Sequence, residues 1–154
     1  MKQKEYFIEH LKLQKHVEGG WYAKTYASDI TINDKSIASS IYFLLDDTNF
    51  SAYHKLTSDE IWYYHYGSSL HVSMIDLEGT LHDIKIGPNL EEGEVLQYTV
   101  PKEWIFASYV ETGFSVVGCM VAPGFTYEDF KLYSYPELVE RYPQHQSMIR
   151  KLTR

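Results

Sequence analysis

The stretch YHKLTSDEIWYYHYG, residues 53–67, brings an imidazole, a carboxylate and a phenol together as His54, Glu60 and Tyr64. Histidine titrates near neutral pH and a carboxylate partner raises its basicity, so this set has the groups needed for proton transfer. If the stretch ends in a strand, its two-residue period places Glu60, Trp62 and Tyr64 on one face. Such a face suits a small organic ligand, because aromatic rings stack on the ligand while polar groups orient it.

His54 and Glu60 are also potential metal donors. A divalent transition metal needs three or four protein donors, so these two residues alone are too few. On a regular strand His65 points to the face opposite Glu60, and His71 and His82 lie on later strands. A metal site would therefore need non-standard ligands. The residues also leave open a binding pocket without chemistry and a purely structural core.

The composition limits the class of protein around these residues. The 154 residues correspond to a single domain, 1–154, that buries about two-thirds of its unfolded surface. A net charge of −7 without a Lys/Arg patch argues against a nucleic-acid partner. The single cysteine, Cys119, excludes an internal disulfide and favours a reducing compartment. The sequence has neither an apolar run of about 20 residues nor a cationic leader, which predicts a cytoplasmic protein without a membrane partner.

The elements around the stretch are predicted to be mainly strands. Aromatic residues make up 16% of the chain and favour pleated, half-buried surfaces. About eight to ten short strands are separated by turn signals, which is typical of an antiparallel sandwich or jelly roll. The helical patterns are confined to the ends, at residues 3–13 and at 137–152, where the second is broken near Pro143.

His54, Glu60 and Gly67 have the spacing of the first cupin motif, and further segments agree with one cupin group. These are EGGWYAKTY (18–26), SSIYFLL (39–45), FSAYHKLTSDEIWYYHYG (50–67), VP with FA (100–107) and VVGCMVAPGFTYEDFKL (116–132). These segments follow one another in the order typical of the DUF985, or cupin-5, family of the RmlC-like cupin superfamily, and the chain resembles this family. The resemblance implies a mainly β, cupin-type jelly-roll barrel with short terminal helices, commonly a homodimer.

The resemblance also bears on a metal cofactor. A typical metal cupin has a second histidine where this chain has Leu56, and a last histidine near the position of Phe106. The resemblance therefore implies no cofactor, with a divalent metal at His54 and Glu60 as the alternative.

The family's structural analogies are with metal-free deoxysugar epimerases and with binding cupins. The epimerase analogy implies an isomerase acting on a sugar-like carbonyl compound, with His54 as base, Glu60 in the site, and Tyr64 or Tyr42 as acid. The expected ligand is a sugar or a sugar nucleotide. Besides Tyr42, the expected ligand-binding side chains are Trp62, Trp21, Tyr22 and Phe106. Trp21 and Tyr22 are equally compatible with a dimer contact or with core packing.

Overall fold

The computed structural model describes residues 1–154 and confirms a mainly β protein with short terminal helices. Nine strands have four or more residues. They are β2 (Trp21–Ala27), β5 (Ser39–Asp46), β6 (Phe50–Lys55), β7 (Asp59–Gly67), β8 (Leu70–Ile75), β9 (Leu81–Ile86), β10 (Gln97–Val100), β11 (Ile105–Tyr109) and β12 (Phe114–Ala122). Four two-residue strands complete the set, namely β1 (Gln14–Lys15), β3 (Thr31–Ile32), β4 (Lys35–Ser36) and β13 (Lys131–Leu132).

The long strands form two antiparallel sheets that face each other. The six-stranded sheet has the order β1-β2-β5-β12-β7-β10, and the five-stranded sheet has the order β13-β6-β11-β8-β9. Strand β6 carries His54 and strand β7 carries Glu60. The two strands follow each other in the chain but belong to opposite sheets. This crossing is why His54 and Glu60 approach the interior from different walls.

The space between the sheets holds the main core, which we call the interior cluster. It comprises fourteen buried residues: Phe43, Leu45, Leu56, Trp62, Leu70, Val72, Met74, Ile86, Val100, Phe106, Val110, Val117, Cys119 and Val121. Burial of this apolar surface is the dominant favourable contribution to folding. The interior cluster therefore surrounds whatever polar groups the strands direct inward.

The terminal helices cover the outer faces of the two sheets. The first, α1 (Lys4–His10), is shorter than the predicted 3–13, and its Phe7 packs beside Leu44 on the outside of the six-stranded sheet. The C-terminal helices α2 (Tyr135–Arg141) and α3 (Gln146–Lys151) flank Pro143, as the sequence predicts. They pack over the five-stranded sheet, which explains why β8 is buried along its whole length. None of the helices is long and apolar enough to cross a membrane.

Candidate ligand site in the barrel interior

Strand β7 directs Glu60, Trp62 and Tyr64 towards the space between the sheets. Glu60 and Trp62 pair with Val121 and Cys119 of β12, and these β12 residues belong to the interior cluster. The alternation of a regular strand therefore puts a carboxyl group, an indole and a phenol along the inner wall. A β-bulge lies beyond them, where the register with β12 shifts between Val116 and Val117.

Glu60 and Trp62 both bury a polar atom that has no hydrogen-bond partner in the protein. Glu60 is only 8% exposed and Trp62 only 2%, and the unpaired atoms are Glu60 Oε2 and Trp62 Nε1. Burial raises the pKa of Glu60 to about 8, so its carboxyl group is protonated at neutral pH. Leaving a buried polar group unpaired costs about 1–3 kcal/mol, and native proteins keep few such groups.

His54 reaches the same interior from β6 in a defined tautomer. Its Nδ1 lies 2.7 Å from the Ala52 carbonyl oxygen, which can only accept, so Nδ1 carries the proton and Nε2 keeps its lone pair. The ring lies 4.2 Å from the centroid of Phe106 and stacks on Phe130 at 5.2 Å. Burial lowers the pKa of His54 to about 4, so the imidazole is neutral at physiological pH.

His16 is a second histidine beside the interior, and its sequence context does not indicate a place in the site. Its Nδ1 accepts a hydrogen bond from the Glu18 backbone N–H at 3.0 Å, so the neutral ring carries its proton on Nε2. The ring contacts the edges of Tyr22 and Phe43 at centroid distances of 4.9 and 6.1 Å. Burial lowers the pKa of His16, and a charge on His16 would further disfavour protonation of His54.

The paired glycines of the EGGWYAKTY segment position His16. Gly19 and Gly20 have φ angles of +103° and +77°, and the His16 N–H donates to the Gly20 carbonyl at 2.9 Å. This tight turn folds the chain from β1 back along β2 and leaves the imidazole beside Tyr22. The glycine pair was the sequence signal that could have drawn attention to His16.

The remaining residues that were expected on the inner wall have different surroundings. Phe106 belongs to the interior cluster. Tyr22 packs against this cluster and remains partly exposed. The Tyr64 hydroxyl donates to the Gly67 carbonyl at 2.7 Å, and burial together with the nearby Glu94 raises its pKa. The Tyr64 phenol is therefore already engaged at the far end of its own strand.

Tyr42 and Trp21, two of the expected ligand-binding residues, lie on the outer face of the six-stranded sheet, and for Trp21 this corresponds to the core-packing alternative. Both pack with Leu44 in the small cluster beneath α1. The reason is the register of β5, in which Phe43 points inward and its neighbours Tyr42 and Leu44 point outward. The structure thus brings His54, Glu60, Trp62, Tyr22 and Phe106 to the interior and separates Tyr42 and Trp21 from it.

The donors in this region do not fit a metal centre. No group of three or more His, Cys, Asp or Glu side chains in the structure is arranged to hold a metal ion. Leu56 and Phe106, at the positions of the missing histidines, are apolar members of the interior cluster. Cys119 is buried beside Glu60, and burial raises the pKa of its thiol, which keeps it protonated.

The other strand histidines have partners outside the interior. His65 lies over Gly118 and 5.7 Å from the Tyr42 ring, on the outer face as predicted. His71 contacts Asp83 at 2.8 Å, and its second nitrogen contacts Glu111 at 3.0 Å.

Two cavities open on the outside of the barrel. One, of about 320 Å³, is lined by Tyr109 and Lys151 among others, and the second, of about 200 Å³, by Tyr42 and His65. Neither is lined by His54 or Glu60. The candidate site is thus defined by unpaired polar atoms within the barrel.

Two facing antiparallel sheets, with the first motif histidine and glutamate directed between them, define a cupin-type barrel. The chain belongs to the DUF985 family of the cupin superfamily, and the model of this family matches residues 5–133. A hypothetical protein from Leishmania major is 33% identical over 99% of both chains, with a TM-score of 0.94. A protein from Shewanella oneidensis is 46% identical over 100% of this chain and 99% of its own, with a TM-score of 0.96.

Similarity of fold extends to a characterised enzyme. The match with oxalate decarboxylase from Bacillus subtilis covers 90% of this chain and 36% of the decarboxylase chain, with 13% identity and a TM-score of 0.60. At this identity the match shows the common barrel and no common activity. None of the curated proteins matches the chain.

Proposed function

We propose that this cupin binds a small organic molecule inside its barrel, beside Trp62 and Glu60. The observation that carries the proposal is the pair of unpaired polar atoms, Trp62 Nε1 and Glu60 Oε2, in side chains more than nine-tenths buried. A ligand that hydrogen-bonds to both would remove the cost of burying them unpaired. His54 adds a free lone pair to the same region, and Phe106 and Tyr22 supply aromatic walls.

A thermal-shift screen of uncharged and charged metabolites tests this proposal. A ligand that binds only the folded protein raises the melting temperature according to its concentration and affinity. We expect compounds that stabilise the parent protein to lose their effect in Trp62→Phe and to keep it in Trp21→Phe. The second variant is a matched control, because Trp21 lies on the outer face. Compounds that stabilise both variants equally would place their binding elsewhere.

A second candidate function is isomerisation or epimerisation by proton transfer. It depends on a neutral His54, which can accept a proton, and a protonated Glu60, which can donate one. His54 Nε2 would take the proton next to a substrate carbonyl, and the C–H electron pair would move to the carbonyl oxygen. Glu60, protonated at neutral pH, would supply a proton to that oxygen to give an enol. The enol would then return this proton to Glu60 while its carbon takes a proton from water on the other face, and His54 would release its proton to the solvent. Binding is the better supported function, because a histidine with a pKa of about 4 is a weak base.

Deuterium incorporation separates catalysis from binding. A panel of keto-sugars is incubated with the protein in D₂O, and exchange at the carbon next to the carbonyl is followed by NMR. Catalysis predicts exchange that is lost in His54→Ala and in Glu60→Gln. Binding alone predicts no exchange above the rate without protein, whether or not a compound stabilises the fold.

A further inference from the structure

We propose that the barrel ligand is an uncharged, flat molecule with a carbonyl-type acceptor and an N–H or O–H donor on the same edge, as in a carboxamide or lactam. The inference rests on the proposed function and names the chemical class of its ligand. It follows from the hydrogen-bonding capacity of four side chains, from the rings around them and from the charges that are absent.

Three of the four polar atoms at the site have a fixed role as hydrogen-bond donor or acceptor. Trp62 Nε1 is always a donor, and the backbone bond to His16 Nδ1 makes His16 Nε2 a donor as well. The backbone bond of His54 leaves its Nε2 as an acceptor. Glu60 Oε2 belongs to a protonated carboxyl group, which both donates and accepts. The complement of this set is a ligand that accepts at one atom and donates at a neighbouring atom.

Aromatic rings surround these polar atoms. Trp62 makes edge contacts with Phe43 and Phe106 at centroid distances of 6.2 and 6.4 Å, with interplanar angles of 80° and 85°. Phe130 lies face to face with His54 at the partly exposed end of the site, with an interplanar angle of 29°. Ring faces and edges of this kind favour a flat ligand, which stacks on one ring while meeting the edges of the others.

No cation acts on Glu60 within the barrel. Glu60 Oε2 has no partner, and burial without the influence of any neighbouring charge accounts for the raised pKa of the Glu60 carboxyl group. Lys24 pairs with Ile41, which packs against the interior cluster, but Lys24 itself is exposed. An anion bound beside Glu60 would lose its hydration without gaining a counter-charge, which is strongly unfavourable. This favours a neutral ligand over the phosphate-bearing sugar nucleotide that the family resemblance suggested.

Benzamide and benzoate provide a matched pair of probes, since they share the ring and differ in the charge and donor of the head group. Each is titrated into ¹⁵N-labelled full-length protein at pH 7, and the indole N–H signals of Trp21, Trp62 and Trp104 are followed. Trp62→Phe identifies the Trp62 signal, and Trp21, which lies on the outer face, serves as the internal control. We expect benzamide to shift the Trp62 signal and benzoate to bind at least about tenfold more weakly. Trp21→Phe, which alters a side chain on the outer face of the six-stranded sheet, should retain the response of the Trp62 signal to benzamide.

Two outcomes would overturn the inference in distinguishable ways. Equal or stronger binding of benzoate at the Trp62 signal would refute the neutral ligand class and leave the barrel as a binding site. If neither probe moves the Trp62 signal at tens of millimolar, the inference fails. The thermal-shift screen then decides separately whether another class of compound depends on Trp62.

Discussion

The ring of Phe130 stacks on the imidazole of His54, with centroids 5.2 Å apart and an angle of 29° between the planes. Phe130 immediately precedes β13, the edge strand that pairs with β6, and it is partly exposed. On its solvent side it contacts Phe125 and Tyr127, at 6.1 and 5.9 Å. Phe130 therefore separates the buried interior from an exposed aromatic surface, and it contributes to the dry surroundings of His54.

Removal of the Phe130 ring should raise the pKa of His54. Phe130→Ala lets water reach the imidazole, which weakens the desolvation that holds this pKa near 4. The shift is measured by NMR titration of the His54 ring protons, assigned with a His54→Gln variant. Phe125→Ala is the matched control, because Phe125 contacts Phe130 without being stacked on His54. An unchanged pKa in Phe130→Ala would show that Phe130 does not shield His54.

Glu60 should make the protein less stable as the pH rises from about 4.5 to about 8. In this window the folded state keeps the proton that the unfolded state has released, so the free energy of unfolding falls with increasing pH. Each pKa unit corresponds to about 1.4 kcal/mol, so the shift is worth a few kcal/mol. Urea unfolding at pH 5 and pH 8 should show a larger loss in the parent protein than in Glu60→Gln. Parallel losses would mean that Glu60 is ionised in the folded protein.

Tyr64→Phe separates a structural role of this phenol from a role in the site. The substitution removes the hydrogen bond to the Gly67 carbonyl, which should lower the free energy of unfolding by about 1 kcal/mol. Affinity for any compound found in the thermal-shift screen should remain unchanged. Lost affinity with unaltered stability would instead make Tyr64 a ligand-binding residue, as the sequence suggested.

Gly20→Ala should destabilise the turn that positions His16. Gly20 has a φ of +77°, and an added Cβ would lie 2.6 Å from the Leu44 carbonyl oxygen and 2.7 Å from Leu45 Cδ2. Backbone strain and the clash together should cost more than about 2 kcal/mol. Gly93→Ala is the control, because Gly93 has a similar φ of +86° but no atom within 4 Å of the added Cβ. Equal losses of unfolding free energy in the two variants would mean that close packing around Gly20 contributes nothing.

The inward face of β7 could be predicted from the sequence because its polar and aromatic residues alternate. Glu60 and Trp62 are two residues apart, and residues with this spacing on a strand point to the same face. The orientation of Tyr42 could not be predicted in the same way. Its strand is apolar on both faces, since α1 covers the outer side, and a two-sided pattern contains no information about which side is the interior.

Residues brought in by loops were missed for a different physical reason. His16 follows a two-residue strand, and Phe130 lies in an aromatic segment between β12 and β13. Neither has a periodic pattern that relates it to the barrel. Their positions depend on tertiary contacts, such as those of Phe130 with His54 and of His16 with Phe43.

The most direct test of ligand binding in the barrel is a crystal structure with the strongest compound from the thermal-shift screen. We expect ligand density between the two sheets, within hydrogen-bonding distance of Trp62 Nε1 and Glu60 Oε2. Ligand density in the outer cavity beside Tyr109 and Lys151, or in the one beside Tyr42 and His65, with none between the sheets, would contradict binding inside the barrel.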